Sequence, residues 1–181
     1  MVLAVGTSLT AGYGLDPDDS WPELLQKRVD AAGLPHRVVN AGVSGETSAG
    51  ALRRMDWLLR QPVAVFILET GANDMLRGQD VEATRANVNA ILDRAGRASP
   101  RPRLVLLGMR AAPNLGGDYV RRFAAIYSDA AQENDAVFIP FVLEGVAGIQ
   151  GLNQADGVHP TAEGQKIMAE TVWRAVEPLL R

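Results

Sequence analysis

Two short stretches of the sequence combine side chains suited to acyl transfer. His159 follows Asp156 by three residues, and Gly157 between them relaxes the backbone. At that spacing the carboxylate can reach one imidazole nitrogen and leave the other free to take a proton. Ser8 follows an apolar run, and a serine hydroxyl becomes an effective nucleophile when such a base adjoins it. The three residues together indicate a serine nucleophile, whereas the His–Asp pair alone is equally compatible with a capping aspartate beside an incidental histidine.

Acyl transfer also needs hydrogen-bond donors aimed at the oxygen that becomes negative. Gly42 and Asn73 are the candidates, because glycine lets the backbone approach a ligand and asparagine carries an amide donor. A turn-capping role would equally explain Asn73. Met109 and Val158 are expected to line the acyl pocket, although ordinary loop positions would look the same.

The elements that must bring these residues together alternate between short apolar runs and segments of helical period. Such alternation is typical of parallel strands joined by crossover helices. We predict a flavodoxin-like, three-layer α/β/α sandwich with a five-stranded, mainly parallel sheet. The predicted strands are residues 2–5, 37–41, 63–68, 103–108 and 136–140.

The segments between these strands contain residues that are typical of helix starts. Ser20 to Glu23 fits a capping box with proline in the first turn, and Thr47 can cap a helix that ends near Arg60. Further helices are predicted over 81–97, over 118–133 and from Pro160 or Thr161 onward.

The strand order along the sequence predicts one functional edge. Ligands of open parallel sheets bind beyond the carboxyl ends of the strands. Ser8, Gly42, Asn73 and Met109 each come shortly after a predicted strand, and a longer segment after the last strand leads to His159. His36 precedes the second strand, so we expect it on the surface at the opposite edge.

Composition excludes several classes of protein. The length of 181 residues predicts one domain over residues 1–181. The 18 basic and 21 acidic side chains form no basic cluster, which predicts no nucleic-acid partner. The absence of cysteine excludes disulfides, thiolate catalysis and cysteine-bound zinc, and two histidines on opposite edges disfavour a metal hydrolase. The oligomeric state stays open.

Targeting signals are not evident. No apolar run approaches the roughly 18 residues that span a bilayer, so we expect no stable membrane insertion. No charged or apolar leader region precedes the first strand. The expectation is a soluble chain, cytoplasmic as given and periplasmic or secreted if a leader has been removed.

Four segments resemble successive motifs of the SGNH (GDSL-type) hydrolase superfamily: GTSLTAGYGL, NAGVSGETSAGALRR, GAND and DGVHP. The segments LNQADGVHPTAEGQ, PNLGGDY and LEGVAG are similar to its arylesterase and acyl-CoA thioesterase I (lysophospholipase L1) branch. The resemblance implies hydrolysis of aryl or short to medium acyl esters, and also of thioesters, without a metal or organic cofactor.

The resemblance also implies roles for individual residues. Ser8 would be the nucleophile, His159 the base and Asp156 its partner, and the oxyanion hole would combine the Ser8 N–H with Gly42 and Asn73. One position departs from the family pattern, since Thr7 stands where GDSL has aspartate. Threonine keeps a side-chain oxygen but lacks the charge, so we expect altered oxyanion geometry or altered coupling of pKa values, with reduced turnover as one consequence.

Two alternatives remain at this point. An acetyl-carbohydrate esterase of the same superfamily would use the same residues. A flavodoxin-like module would instead cradle a phosphate or flavin in the loop after the first strand. That second alternative leaves GAND and DGVHP unexplained.

Overall fold

A computed structural model describes residues 1–181 and contains five strands and eight α-helices. The strands are β1 (Val2–Gly6), β2 (Val38–Gly42), β3 (Val65–Glu69), β4 (Arg103–Leu107) and β5 (Val137–Ile139). The helices are α1 (Ser8–Ala11), α2 (Trp21–Ala31), α3 (Ser48–Arg53), α4 (Met55–Leu58), α5 (Ala72–Leu76), α6 (Val81–Gly96), α7 (Gly117–Glu133) and α8 (Ala162–Val176).

The five strands form one parallel sheet in the order β2-β1-β3-β4-β5. The chain therefore adds β2 on one side of β1 and then returns to add β3 on the other side. This reversal opens a crevice at the carboxyl ends of β1 and β3, the usual ligand position in such sheets. The predicted fold class is confirmed, and every strand pair is parallel.

The core lies on both faces of the central strands. All residues of β1 and β3 are buried, which explains why their sequences, apart from Glu69 at the end of β3, are apolar without polar alternation. α2 packs against α8, and α6 packs against α3 and α7. No helix combines the length and apolarity that crossing a bilayer requires.

The sequence signals for helix caps predicted where α2 and α3 begin, but the predicted side-chain hydrogen bonds at these caps are not formed. α2 begins at Trp21 as predicted, but the capping box is wrong because the Ser20 hydroxyl donates to the Pro17 carbonyl at 2.9 Å. Thr47 precedes α3 without a side-chain cap bond, so its predicted capping contact is also wrong. Asp74 from α5 instead accepts the first N–H of α3, that of Ser48, at 2.9 Å.

The helix predicted to end near Arg60 is broken at Arg54, between α3 and α4. The Arg54 guanidinium donates to both carboxylate oxygens of Glu46 and, at 2.7 Å, to the Ala41 carbonyl. These contacts tie the break to the loop that follows β2. The helix is thus interrupted where Arg54 forms hydrogen bonds with distant residues, and these bonds hold the loop after β2 beside the crevice.

Candidate active site

Ser8 lies at the carboxyl end of β1, at the start of a single helical turn. Thr7 is extended with φ −100° and ψ −150°, and Ser8 opens α1 immediately after it. Gly12 ends the turn with φ +74°, a conformation that favours glycine. The abrupt change from strand to turn presents Ser8 beside the crevice while Leu9 and Thr10 are buried.

The structure brings Ser8, His159 and Asp156 into one hydrogen-bonded line. His159 Nε2 lies 2.9 Å from Ser8 Oγ, and His159 Nδ1 lies 2.6 Å from Asp156 Oδ2. Asp156 Oδ1 also accepts the backbone N–H groups of Val158 at 2.9 Å and His159 at 3.0 Å. Gly157, with φ +69°, makes this tight turn possible.

The hydrogen bonds around Asp156 determine the electrostatics of this line. The His159 imidazole, followed by the His159 and Val158 backbone N–H groups, lowers the pKa of the Asp156 carboxyl to about 2. Asp156 is therefore ionised at neutral pH and can only accept a hydrogen bond. In the neutral imidazole the contact with Asp156 favours the proton on Nδ1, which leaves the Nε2 lone pair facing the Ser8 hydroxyl.

Asn73 belongs to α5, just beyond the carboxyl end of β3, and lines the same cleft as Ser8 and His159. Its amide nitrogen donates one hydrogen bond to the Glu46 carbonyl at 3.0 Å. Because an amide group has two N–H bonds, one donor remains for a ligand.

Gly42 does not supply a donor to the cleft, so its prediction as an oxyanion residue is wrong. Its N–H donates to Asn40 Oδ1 at 3.0 Å. Gly42 ends β2 beside Gly6, and a Cβ atom added there would collide with the backbone of Ala11. The glycine at this position lets α1 pack closely over β2.

Gly45, three residues later, has the free backbone donor that Gly42 lacks. It lies in a turn closed by the Glu46 N–H bond to the Val43 carbonyl at 3.1 Å, and its φ is +77°. Its carbonyl accepts the Arg77 guanidinium at 2.7 Å, but its N–H has no partner within the chain. The contact between Asn73 and Glu46 places this turn beside Asn73. The sequence feature that could have indicated Gly45 is its place as the second glycine of the NAGVSGETSAG segment.

An apolar cleft of about 520 Å³ adjoins the Ser8–His159 pair. Met109 and Val158, predicted to line an acyl pocket, both lie in its wall. The prediction missed the contribution of the segment after β5, which adds Phe141 and Leu143. Other apolar lining residues are Leu9, Ala72, Met75, Leu76, Ala111, Ala112, Pro113 and Ala147.

Two further side chains near the site were missed. The Tyr13 ring centroid lies 4.6 Å from that of His159. Glu69, fully buried at the end of β3, accepts hydrogen bonds from Thr7 and Thr10. The available signal for Glu69 was a carboxylate that ends an otherwise apolar strand.

His36 lies away from the cleft, and its Nε2 is 3.2 Å from the Leu180 carbonyl. No group of three or more His, Asp or Glu side chains is close enough together to hold a metal ion.

Comparison with known proteins establishes the family of this chain. The sequence pattern of the GDSL-like Lipase/Acylhydrolase family matches residues 4–167. The chain belongs to this family. It is a serine-type carboxylic ester hydrolase, as the resemblance of its motifs implied, and the phosphate- or flavin-binding alternative is set aside.

Individual relatives support this membership across the chain. Esterase TesA of Pseudomonas aeruginosa is 40% identical over 180 residues, covering 99% of this chain and 89% of TesA. Thioesterase 1/protease 1/lysophospholipase L1 of Escherichia coli is 34% identical, covering 99% and 84%. The crystal structure of AlinE4, described as an SGNH-hydrolase family esterase, superimposes with a TM-score of 0.81 at 42% identity, covering 99% and 96%.

Proposed function

We propose that this acylhydrolase forms its acyl-enzyme on Ser8, with His159 as general base and Asp156 as the group that orients His159. The observation that carries this assignment is the 2.9 Å approach of His159 Nε2 to Ser8 Oγ at the wall of the apolar cleft. The 2.6 Å contact of Asp156 with Nδ1 supports the role of Asp156.

In the first half of the reaction, Ser8 Oγ attacks the acyl carbon and its proton passes to His159 Nε2. The tetrahedral intermediate collapses, the bond to the alcohol breaks, and the imidazolium returns that proton to the leaving oxygen. In the second half, His159 takes a proton from water, and the resulting hydroxide attacks the acyl-enzyme. When the second tetrahedral intermediate collapses, the bond from the acyl carbon to Ser8 Oγ breaks, His159 returns its proton to Oγ, and the acid is released.

We propose that the oxyanion is bound by the N–H groups of Ser8 and Gly45 and by the Asn73 amide. The Ser8 N–H opens a helical turn, so it has no acceptor within that turn. The free N–H of Gly45 and the second amide hydrogen of Asn73 support the other two assignments. Removal of one such donor usually lowers turnover by about a hundredfold to a thousandfold.

The preferred substrates are proposed to be small esters with an apolar short to medium acyl group. The predominantly apolar lining of the cleft, which includes Met109, Phe141 and Val158, supports this substrate class over acetylated carbohydrates. The names of the relatives TesA and thioesterase 1 add thioesters as a second substrate class. We further propose that residues 1–181 form one catalytic domain and, given its net charge of −3, that it has no nucleic-acid partner.

The first test replaces Ser8 with alanine. Loss of the nucleophile should lower kcat for p-nitrophenyl butyrate by more than about a thousandfold, as triad deletions do elsewhere. The far-UV circular dichroism should not change, because the Ser8 hydroxyl is not part of the core. Ser128→Ala, on the exposed face of α7, is the matched control and should keep full activity. Substantial activity in Ser8→Ala would exclude the acyl-enzyme on Ser8.

The substrate assignment is tested in the same assay with p-nitrophenyl esters from acetate to laurate and with the corresponding acyl-CoA thioesters. A maximum of kcat/KM at short to medium acyl length is expected because the cleft is apolar but of limited volume. Activity restricted to acetate, or absent on every ester in the series, would contradict the proposed substrate class.

A further inference from the structure

A fully buried carboxylate lies beneath the nucleophile, and no step of the proposed mechanism uses it. Glu69 ends β3 with no exposed surface. Burial of a carboxylate is costly unless hydrogen bonds compensate for the lost water. Burial also raises the pKa of Glu69, while the bonds from Thr7 and Thr10 oppose that shift. A group retained at this cost points to a role beyond packing.

The hydrogen-bond donors to Glu69 flank Ser8 on both sides. Glu69 Oε2 accepts the Thr7 N–H at 2.9 Å, and the Thr7 hydroxyl lies 2.9 and 3.0 Å from the two carboxylate oxygens. The Thr10 hydroxyl donates to Oε2 at 2.9 Å. One carboxylate therefore holds the residue before Ser8 and the residue two positions after it.

Gly6 makes this arrangement possible. A Cβ atom at Gly6 would collide with the Thr10 hydroxyl and would lie 2.8 Å from Glu69 Oε2. The absence of a side chain at this position lets the carboxylate and both hydroxyl groups converge against the backbone. The Gly-Thr-Ser-Leu-Thr sequence thus supplies space, two hydroxyl donors and the outward-facing serine.

We propose that Glu69, Thr7 and Thr10 form a positioning unit that holds the Ser8 N–H and Oγ in line with His159. The unit acts through Ser8, because the Glu69 and Thr10 side chains are fully buried and Thr7 is only 2% exposed at the cleft wall. The turn that carries Ser8 is only four residues long, so it has little helical stability of its own. Its geometry therefore depends on the strand beneath it. This inference rests on the proposed role of Ser8 as the nucleophile.

The test replaces each hydroxyl donor with a side chain of similar shape. Thr10→Val should lower kcat for p-nitrophenyl butyrate by about tenfold to a hundredfold, because it leaves a buried acceptor without its donor, and should leave KM within about twofold. Thr10→Ser keeps the donor and should recover kcat to within about threefold of wild type. Thr7→Val and Thr7→Ser form a second matched pair with the same expectation.

Two further measurements separate positioning from loss of folding. The rate of inactivation by diethyl p-nitrophenyl phosphate reports Ser8 reactivity and should fall in parallel with kcat in each valine variant. Glu69→Gln keeps the volume and one acceptor oxygen, so we expect a loss of kcat between those of the serine and valine variants. Rates are divided by the folded fraction from circular dichroism.

Wild-type kcat per folded molecule in Thr10→Val and Thr7→Val would overturn the proposal, as would failure of both serine variants to recover activity. If Thr10→Val does not fold, the Thr7 pair decides the question alone. The proposed function is tested separately, since it requires only that Ser8→Ala be inactive. An inactive Ser8→Ala beside unaffected valine variants would refute the positioning unit and retain the nucleophile.

Discussion

Thr7 shows how one residue changes the charge balance beneath the nucleophile. Its hydroxyl donates to the buried carboxylate of Glu69, so the pair contains one acidic group and one neutral donor. An aspartate at this position, as in the GDSL pattern, would place a second carboxylate against the first. Two carboxylates that close cannot both ionise, and one of them must retain a proton.

Thr7→Asp is therefore expected to make stability more dependent on pH. A carboxyl whose pKa is raised by folding stabilises the native state most below its ordinary pKa, and this contribution is lost as pH rises through the raised value. Burial already raises the pKa of Glu69, and a second carboxyl would extend the decline to higher pH. While the pair retains one proton, the slope should reach about 1.4 kcal/mol per pH unit.

Urea unfolding midpoints of Thr7→Asp, Thr7→Ser and wild type at pH 5, 7 and 9 measure this effect. The serine variant is the control, because it keeps a neutral hydroxyl donor. If the aspartate variant follows the wild-type pH dependence, the introduced carboxylate must point away from Glu69.

At the scale of elements, α5 joins the loop after β3 to the loop after β2. Asp74, buried in α5, accepts the Ser48 N–H at 2.9 Å and its hydroxyl at 2.6 Å, which fixes the start of α3. The neighbouring Asn73 holds the Glu46 carbonyl. Two consecutive residues of one short helix thus hold the turn that contains Gly45 against the cleft.

Asp74→Asn should weaken this link. The Ser48 N–H and hydroxyl bind different oxygens of the carboxylate, and asparagine replaces one of these oxygens with an NH₂ donor. One acceptor is therefore lost, and the expected loss is about 1–3 kcal/mol in the free energy of unfolding. If Asn73 and Gly45 bind the oxyanion, kcat should fall together with the free energy of unfolding. The measurements are urea unfolding and kcat for p-nitrophenyl butyrate.

The matched control is Asp93→Asn, which removes one partner of an exposed ion pair with Arg97 and should change neither quantity. Unchanged kcat per folded molecule in Asp74→Asn would show that the contacts of Asp74 with Ser48 do not affect oxyanion binding.

At the scale of the whole molecule, the site depends on a sheet buried on both faces. The loops after β1, β2 and β3 meet because those strands are neighbours in a parallel sheet. Phe66 in β3 has no exposed surface and belongs to the continuous core. The sheet therefore provides a rigid base for loops that carry few buried apolar side chains of their own.

Phe66→Ala should destabilise the fold by about 3–5 kcal/mol, because it removes a large buried side chain and leaves a cavity. Trp57→Ala is the control: the Trp57 side chain is 64% exposed, so the change should stay within about 0.5 kcal/mol. Urea unfolding followed by circular dichroism measures both. Equal costs for the two variants would contradict the assignment of Phe66 to the core.

The sequence by itself determined features that depend on near neighbours. Short, mostly apolar runs located all five strands, and the run is uninterrupted in β1 because a strand buried on both faces has no polar alternation. The spacing of Asp156 and His159 indicated their contact, since a turn through Gly157 can bring the two side chains together. Family membership also followed from short motifs in a fixed order.

Only the tertiary structure decided which polar groups become partners across the chain. The bonds from Thr7 and Thr10 to Glu69 span 62 and 59 residues, and no local pattern specifies them. Gly42 and Gly45 are alike as residue types, but only the Gly45 N–H is free, because the Gly42 N–H donates to the Asn40 side chain. A hydrogen-bond partner is chosen by distance and direction in the folded chain, and these depend on how all the layers pack together.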